Sequence, residues 1–449
     1  FNYYISLEKT HSIFLIEVKT LQPKISIILT SYNKPSLINQ VIESVLKQTY
    51  KEWELFIMDD NSCPETINVI KNYLEDPRIT YKNSFIQDGE RYKTTRYATL
   101  INEALPLTCG DYICYLTDDT IYLPNRLAEM LSFLEKHPEI DVVYSSQYVK
   151  HVDYNLQPTN EFVREASKIL YTAANVVDHC SVMHTKRILV KVFEKYREYW
   201  DTNPLYWFVG DAMFWKRLNT FQPFYPINKV LDITFKTPFS FQNLYANLPS
   251  KDLNGILFSN SQGEVFLIDN FKRRFISKEM LSYFKYNQNE IVLIPDPFIY
   301  KYTEAPPITL TTSIPNLRVV QNEKGELFYI ENNQKRPFIN TIAFRKFKFT
   351  VQEIINVSQN SLGQFSDGPP IHPNLSNQTI LPEGKVFIYH HNYFIMTNHM
   401  LHPIDKDILQ KLYLLKNCIP ISKSNLSHFK IGPPITSYPS HLAEKYSEE

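Results

Sequence analysis

Between residues 23 and 145 strand-like and helix-like segments alternate without a break, and that order admits few architectures. KISIILT (24–30) is β-rich and continuously apolar, the pattern of a strand covered on both faces. SLINQVIESVLKQ (36–48) then places Leu37, Ile38, Val41, Ile42, Val45 and Leu46 on one helical face, with Pro35 ahead of it. WELFIM (53–58) reads as a second strand. Ser62 and Glu65 have capping-box spacing, and Pro64 opens a helix predicted over 64–75. A helix near 94–105, a strand at 112–117, a helix over 125–136 after Pro124 and a strand at 141–146 continue the pattern. Such alternation implies right-handed βαβ units and a mostly parallel sheet.

Sheets of this kind bind ligands beyond the carboxyl ends of their strands. Asp59 and Asp60 follow the second strand, and Asp118 and Asp119 follow YICYLT (112–117), so two acidic pairs lie on one rim. Adjacent carboxylates at the end of a buried strand are unfavourable unless something offsets their charge. A divalent cation bridging them to a diphosphate would do so, through hard oxygen ligands. Capping of the following helix is the plainer alternative. Asp60 has the chemistry to accept a pyrimidine ring N–H, and Thr30 and Tyr32 follow the first strand where a base pocket would lie. Taken alone, those two read as ordinary loop residues.

Composition narrows the class. The 449 residues carry 47 basic and 47 acidic side chains, so no bulk electrostatic attraction to nucleic acid is expected. With only 10 glycines there is no GxxxxGK or GxGxxG phosphate cradle. Five cysteines without a CxxC pair indicate free thiols rather than a disulfide framework or a zinc site. No apolar run approaches the ~20 residues of a membrane span. Residues 1–22 lack the basic start and small-residue cleavage site of a signal peptide and read as an extension. Synthesis and action in the cytoplasm are expected.

The character changes near residue 250. GILFSNSQGEVFLIDNFKRRFI (255–276) resembles NLRVVQNEKGELFYIENNQKRPFI (316–339), with a weaker copy in KVFIYHHNYFIMTNHMLHPI (385–404). The second and third copies end alike in FSDGPPI (365–371) and FKIGPPI (429–435). Three small β-rich repeats are expected, at 251–301, 316–371 and 380–435, with a linker at 302–315 and a tail at 436–449. The basic clusters 272–274 and 335–336 read as solvated turn charges, contact with an anionic glycan being the alternative. Trp200, Trp207 and Trp215 read as core residues rather than sugar platforms. His390 and His391, adjacent in a strand, would face opposite sides and share no metal.

ISIILTSYNKP, WELFIMDDNS, TRYATLIN, YLTDDTIYLPNRL, DHCSVMH and GDAMFW…FYPINKVLD, in that order over about 24–235, resemble inverting nucleotide-sugar glycosyltransferases of the GT-A fold. Spore coat polysaccharide and spore maturation transferases are the most similar group. The resemblance implies a Rossmann-like GT-A domain over 23–250. It assigns Thr30, Tyr32 and Asp60 to the nucleobase and Arg91 to the region of base and phosphates. It assigns Asp118 to the ribose, Asp119 to Mn²⁺ or Mg²⁺, and Asp211 to general-base work. Asp178 and His179 fall near the acceptor, a buried structural pair being equally compatible. A UDP- or dTDP-sugar donor and a glycan or protein acceptor are implied. TDDT stands where relatives often have Asn after the acids, and no expected carboxylate is missing. Two other readings stay open: a catalytically silent nucleotide-binding scaffold, and a spore-surface structural protein acting through its repeats.

Overall fold

The computed structural model describes residues 24–438, so the extension at 1–22 lies outside the described residues, as does the tail beyond 438. The front of the chain is a mixed nine-stranded sheet between two helical layers. β1 (Ile25–Ser31) is buried along its whole length and pairs in parallel with β2 (Trp53–Asp59) and, across its other edge, with β4 (Tyr112–Thr117). β3 (Ile79–Asn83) extends the parallel run beyond β2. Alternation along β1 divides the cores. Ile25, Ile27 and Leu29 face α1 (Ile38–Leu46), α2 (Pro64–Lys71) and α4 (Arg126–Lys136). Ile28 faces α3 (Arg96–Ala104), α5 (Lys186–Tyr196) and α6 (Gly210–Asn219).

Beyond β4 the direction changes. β8 (Val182–Thr185) runs antiparallel to both β4 and β6 (Val142–Val152), whereas β6 pairs in parallel with β9 (Tyr225–Lys236). β6 runs past the expected 141–146 because β7 (Pro158–Arg164) folds back on it as a hairpin. The short β5 (Thr120–Tyr122), just after the Asp118–Asp119 pair, closes the far edge against β9. The expected capping box does not form. Cys63 is the N-cap of α2, while the Ser62 hydroxyl accepts the Asn33 N–H (3.0 Å) and the Ser62 N–H donates to Asp59 (3.3 Å). Ser62 is thus consumed in tying the β1 loop to the β2 loop.

Three small sheets of one topology follow. Each begins with an antiparallel three-strand meander, at 257–276, 318–337 and 386–404. A one- to two-turn helix comes next, and then a short strand parallel to the first one. The segment read as a linker at 302–315 contains the strand Glu304–Ile308, which pairs with Lys272–Ile276. Its APPI is the counterpart of GPPI in the other two copies. Proline suits such a strand because an edge position requires fewer N–H donors.

Two of the basic repeat positions are also not solvated. Arg274 is buried on Asp269 (2.8 Å) and donates to the Pro306 carbonyl; Arg336 is buried on Glu331 and donates to the Pro369 carbonyl. Each arginine pins the proline strand of its own unit, so neither is available to a glycan. Hydrophobic cores are shared between units one and two, two and three, and three and one, which closes them into a ring. All five cysteines are free, and Trp200 and Trp215 lie fully inside the front domain. His390 and His391 are exposed in a turn, and no cluster of three or more metal-binding side chains exists among the described residues.

Candidate active site

The carboxyl ends of β1, β2 and β4 bring Thr30, Asp60, Asp118 and Asp119 to one rim. Thr30 is buried in register between Met58 and Thr117. Asp118 accepts the Tyr32 N–H at 2.8 Å, which holds the β1 loop over the end of β4. Burial raises its pKa above the ordinary carboxylate range; Lys34 opposes the shift and Asp119 adds to it. Asp119 is half-buried, and its Oδ1 accepts the Thr117 hydroxyl at 2.7 Å.

Asp60 has a heavier engagement than a base contact. It is nearly buried and ion-pairs with Arg91 (2.6 Å) and Arg96 (2.7 Å), and it also accepts the Ser84 hydroxyl. Arg91, only 1% exposed, is further fixed by Asp88 (2.9 Å), and its guanidinium lies 4.2 Å above the Tyr32 ring. A carboxylate offers about four acceptor directions, and the arginines and Ser84 occupy them, so a ring N–H would reach Asp60 only by displacing a donor. Arg96 opens α3 inside TRYATLIN; the sequence signal was present, but nothing there showed that it shared Asp60.

The Tyr32 hydroxyl donates to Asp296 at 2.7 Å, and Asp296 also accepts the Ser261 N–H (2.8 Å) and hydroxyl (2.7 Å). Asn33 in turn donates to the Ser261 hydroxyl at 3.0 Å. The first β-rich unit therefore supplies two residues to the rim. Sequence reasoning missed both, because 264 positions separate Tyr32 from Asp296.

Asp211 sits in the first turn of α6. Its carboxylate is 4.0 Å from His179 Nδ1 and accepts the Ala212 N–H at 2.8 Å. Burial raises its pKa, with His179 opposing and Asp178 adding to the rise. The His179 ring lies parallel to that of Tyr97, centroids 6.2 Å apart, and the Tyr97 hydroxyl accepts the Gly210 N–H at 2.9 Å. A Cβ at Gly210 would sit 2.4 Å from that hydroxyl oxygen, so glycine permits the approach.

Thr117 joins the two halves. Its hydroxyl touches Asp119 and, at 3.3 Å, the Cys180 thiol. The Cys180 N–H donates to Asp178 (3.0 Å), and Asp178 lies 3.8 Å from Lys236 at the end of β9. Burial works against the Lys236 charge, but Asp178 and Asp119 more than offset it. Asp178 is held well below the usual range despite its burial, by Lys236, His179 and Arg164. Lys236 was not singled out from sequence: it is one lysine among many until the sheet turns it toward the acids.

The glycosyl transferase family 2 model matches residues 26–197, which include Thr30 to Asp119 but not Asp211 or the three C-terminal units. Protein CgeD of Bacillus subtilis is 42% identical over 413 residues, 92% of this chain and 95% of that one. The UDP-Glc:alpha-D-GlcNAc-diphosphoundecaprenol beta-1,3-glucosyltransferase WfaP of Escherichia coli is 29% identical over 126 residues, 28% of this chain and 47% of that one. Among solved structures, S. aureus TarS 1-349 in complex with UDP-GlcNAc shares 15% identity at a TM-score of 0.35, over 47% of this chain and 58% of that one. That likeness is too slight to carry residue correspondences. The rim, the mixed sheet and the match across nearly the whole length of CgeD together place the chain in glycosyltransferase family 2, as an enzyme with a GT-A-type α/β domain followed by β-rich sheets.

Proposed function

We propose that the chain transfers a sugar from a pyrimidine nucleoside diphosphate to a hydroxyl acceptor, with inversion, in building a spore-surface glycan. The observation that carries this reading is the run of contacts from Asp119 through Thr117 and Cys180 to Asp178, whose chain neighbour His179 lies 4.0 Å from Asp211. It supports reading a candidate cation ligand and a raised-pKa carboxylate as parts of one site. The uridine form of the donor draws support from the UDP-Glc in the printed name of WfaP. The spore setting draws on the sequence motifs.

The donor set suits a hard divalent cation such as Mn²⁺ or Mg²⁺. Asp119 offers carboxylate oxygen, and among the described residues no cluster of three or more acidic, imidazole or thiol groups forms around it. Cations of this type are commonly held by one or two carboxylates together with substrate phosphates, so Asp119 would hold the metal jointly with the diphosphate. When bound, the cation would supply Lewis-acid stabilisation of charge on the departing diphosphate. Lys236, kept charged by Asp178 and Asp119, adds a fixed positive charge to the same region. Tyr32 and Thr30 wall the base side, and Asp118 anchors the β1 loop where a ribose would lie. Asp211, raised by burial, takes the acceptor proton as the hydroxyl attacks opposite the leaving group. One displacement inverts the anomeric centre.

The test is release of nucleoside diphosphate from a panel of UDP- and dTDP-hexoses with Mn²⁺, with the anomeric configuration of the product read by NMR. Turnover with inversion that Asp211→Asn slows by about a hundredfold or more is expected. Retention, or no turnover of any donor by the wild type, would sink the proposal.

A further inference from the structure

The ring of β-rich units surrounds a half-open cavity of about 340 Å³, remote in sequence from the rim and lined by all three units. Its walls repeat with the units. Gly255, Leu317 and Gly384 occupy matching left-handed positions, followed by Ile256, Arg318 and Lys385. Lys285, Lys348 and Tyr413 form a second left-handed set, followed by Tyr286, Phe349 and Leu414. Each residue of the first set faces one of the second across a unit boundary. Ile256 shares a core with Leu414, the Arg318 guanidinium lies 4.0 Å above the Tyr286 ring, and the Lys385 ammonium lies 3.5 Å above the Phe349 ring.

Among the described residues the two cations have no ion-pair partner and make no side-chain hydrogen bond, and Arg318 Nε is buried without a partner. A guanidinium carries five N–H donors and an ammonium three, and ring faces compensate only part of the cost of taking them from water. Burial pushes the Lys385 ammonium down to about 8; Glu353 pulls it back without reaching ion-pair distance, and Arg318 pushes it further down. Glu290, the other carboxylate here, is already occupied by Asn287 and Lys416. By contrast, Arg274 and Arg336 in these same units are fully paired. Arg318 and Lys385 both line the cavity.

We propose that this cavity is a binding site for a carboxylate- or phosphate-bearing saccharide, whose anionic group Arg318 and Lys385 hold together. The anion part stands on the geometry alone. The saccharide part rests on the glycosyltransferase reading and on a cavity size within the range of small-ligand sites.

The test is calorimetric titration of the full chain with glucuronic acid, glucose 6-phosphate, inorganic phosphate and glucose. It is run on wild type, Arg318→Met, Lys385→Met, Lys385→Arg and Asp119→Ala, with thermal melts for each. Binding of the charged sugars at least tenfold tighter than glucose is expected. It should fall at least tenfold in both methionine variants and persist in Lys385→Arg and Asp119→Ala. Hydrogen exchange on wild type gives a readout independent of variant folding: protection at 317–319 and 384–386 is expected on saturation. No binding of any anion, loss of binding in Asp119→Ala, or protection confined to the rim would overturn the site. Phosphate binding as tightly as glucose 6-phosphate would overturn its saccharide part. Nucleotide titration of the rim is separate, so failure of the cavity leaves the transferase reading standing, whereas failure of the transferase reading leaves the anion site standing without its saccharide part.

Discussion

Asp211 is built against its own charge. Burial raises its pKa more than His179 lowers it, so the group stays protonated to a higher pH than an ordinary carboxyl. The acidic limb of the rate profile should therefore lie above the usual carboxylate range, with rate lost as pH falls through the raised value. The linkage runs the other way for stability. The folded state binds the proton more tightly than the unfolded chain, so this group's contribution weakens as pH rises through that value. Asp211→Asn is thus expected to slow transfer by about 10²–10⁴-fold while leaving nucleotide affinity and the neutral-pH melting temperature equal or higher. A variant that melts lower and keeps its rate would contradict both halves. Asp232 has a different role. It is fully buried on Arg126 (2.9 Å), with Ser145, Gln147 and Ser181 around it. Asp232→Ala strands that arginine and should cost about 3–5 kcal/mol in a denaturant titration; a loss below about 1 kcal/mol would show that the pair is dispensable.

At the scale of elements, legibility followed locality. The β1–β4 alternation could be read because apolar runs and helical stripes are local signals, and the acids at the strand ends followed from them. The Ser62–Glu65 box was misread because a local pattern lost to a tertiary one: Ser62 serves Asn33 and Asp59 instead. The Arg274 and Arg336 clusters look like turn charges in sequence, and only strand pairing reveals the carboxylate and proline carbonyl that each one satisfies. Asp296 opens a short helix, Asp296–Tyr300, that packs against the Asp88–Lys93 turn. Its bonds to Tyr32 and Ser261 tie that helix to the rim at the end of β1, where the proposed donor would bind. Asp296→Ala should weaken nucleotide binding by about 1.5–3 kcal/mol, with Tyr32→Phe reproducing part of the loss. Unchanged affinity in both would reduce the contact to simple packing.

The whole molecule is more than a transferase with an appendage. Trp207, in the front domain, is buried in the core shared with units one and three, and Tyr97 and Leu205 pack against that core. Tyr97 also supports His179 and Gly210 beside Asp211. A chain ending at residue 250 should expose this surface, unfold at lower denaturant and lose nucleotide affinity. A fragment with full stability and wild-type affinity would show instead that the domains are independent. No helix among the described residues is long and apolar enough to cross a membrane. The most direct measurement is calorimetric titration of UDP and dTDP, each with and without Mn²⁺, into the full chain and into Asp119→Ala. Binding that needs the metal and disappears in the variant is expected if Asp119 holds a cation for a diphosphate. Nucleotide binding indifferent to both metal and substitution, or none at all, would contradict it.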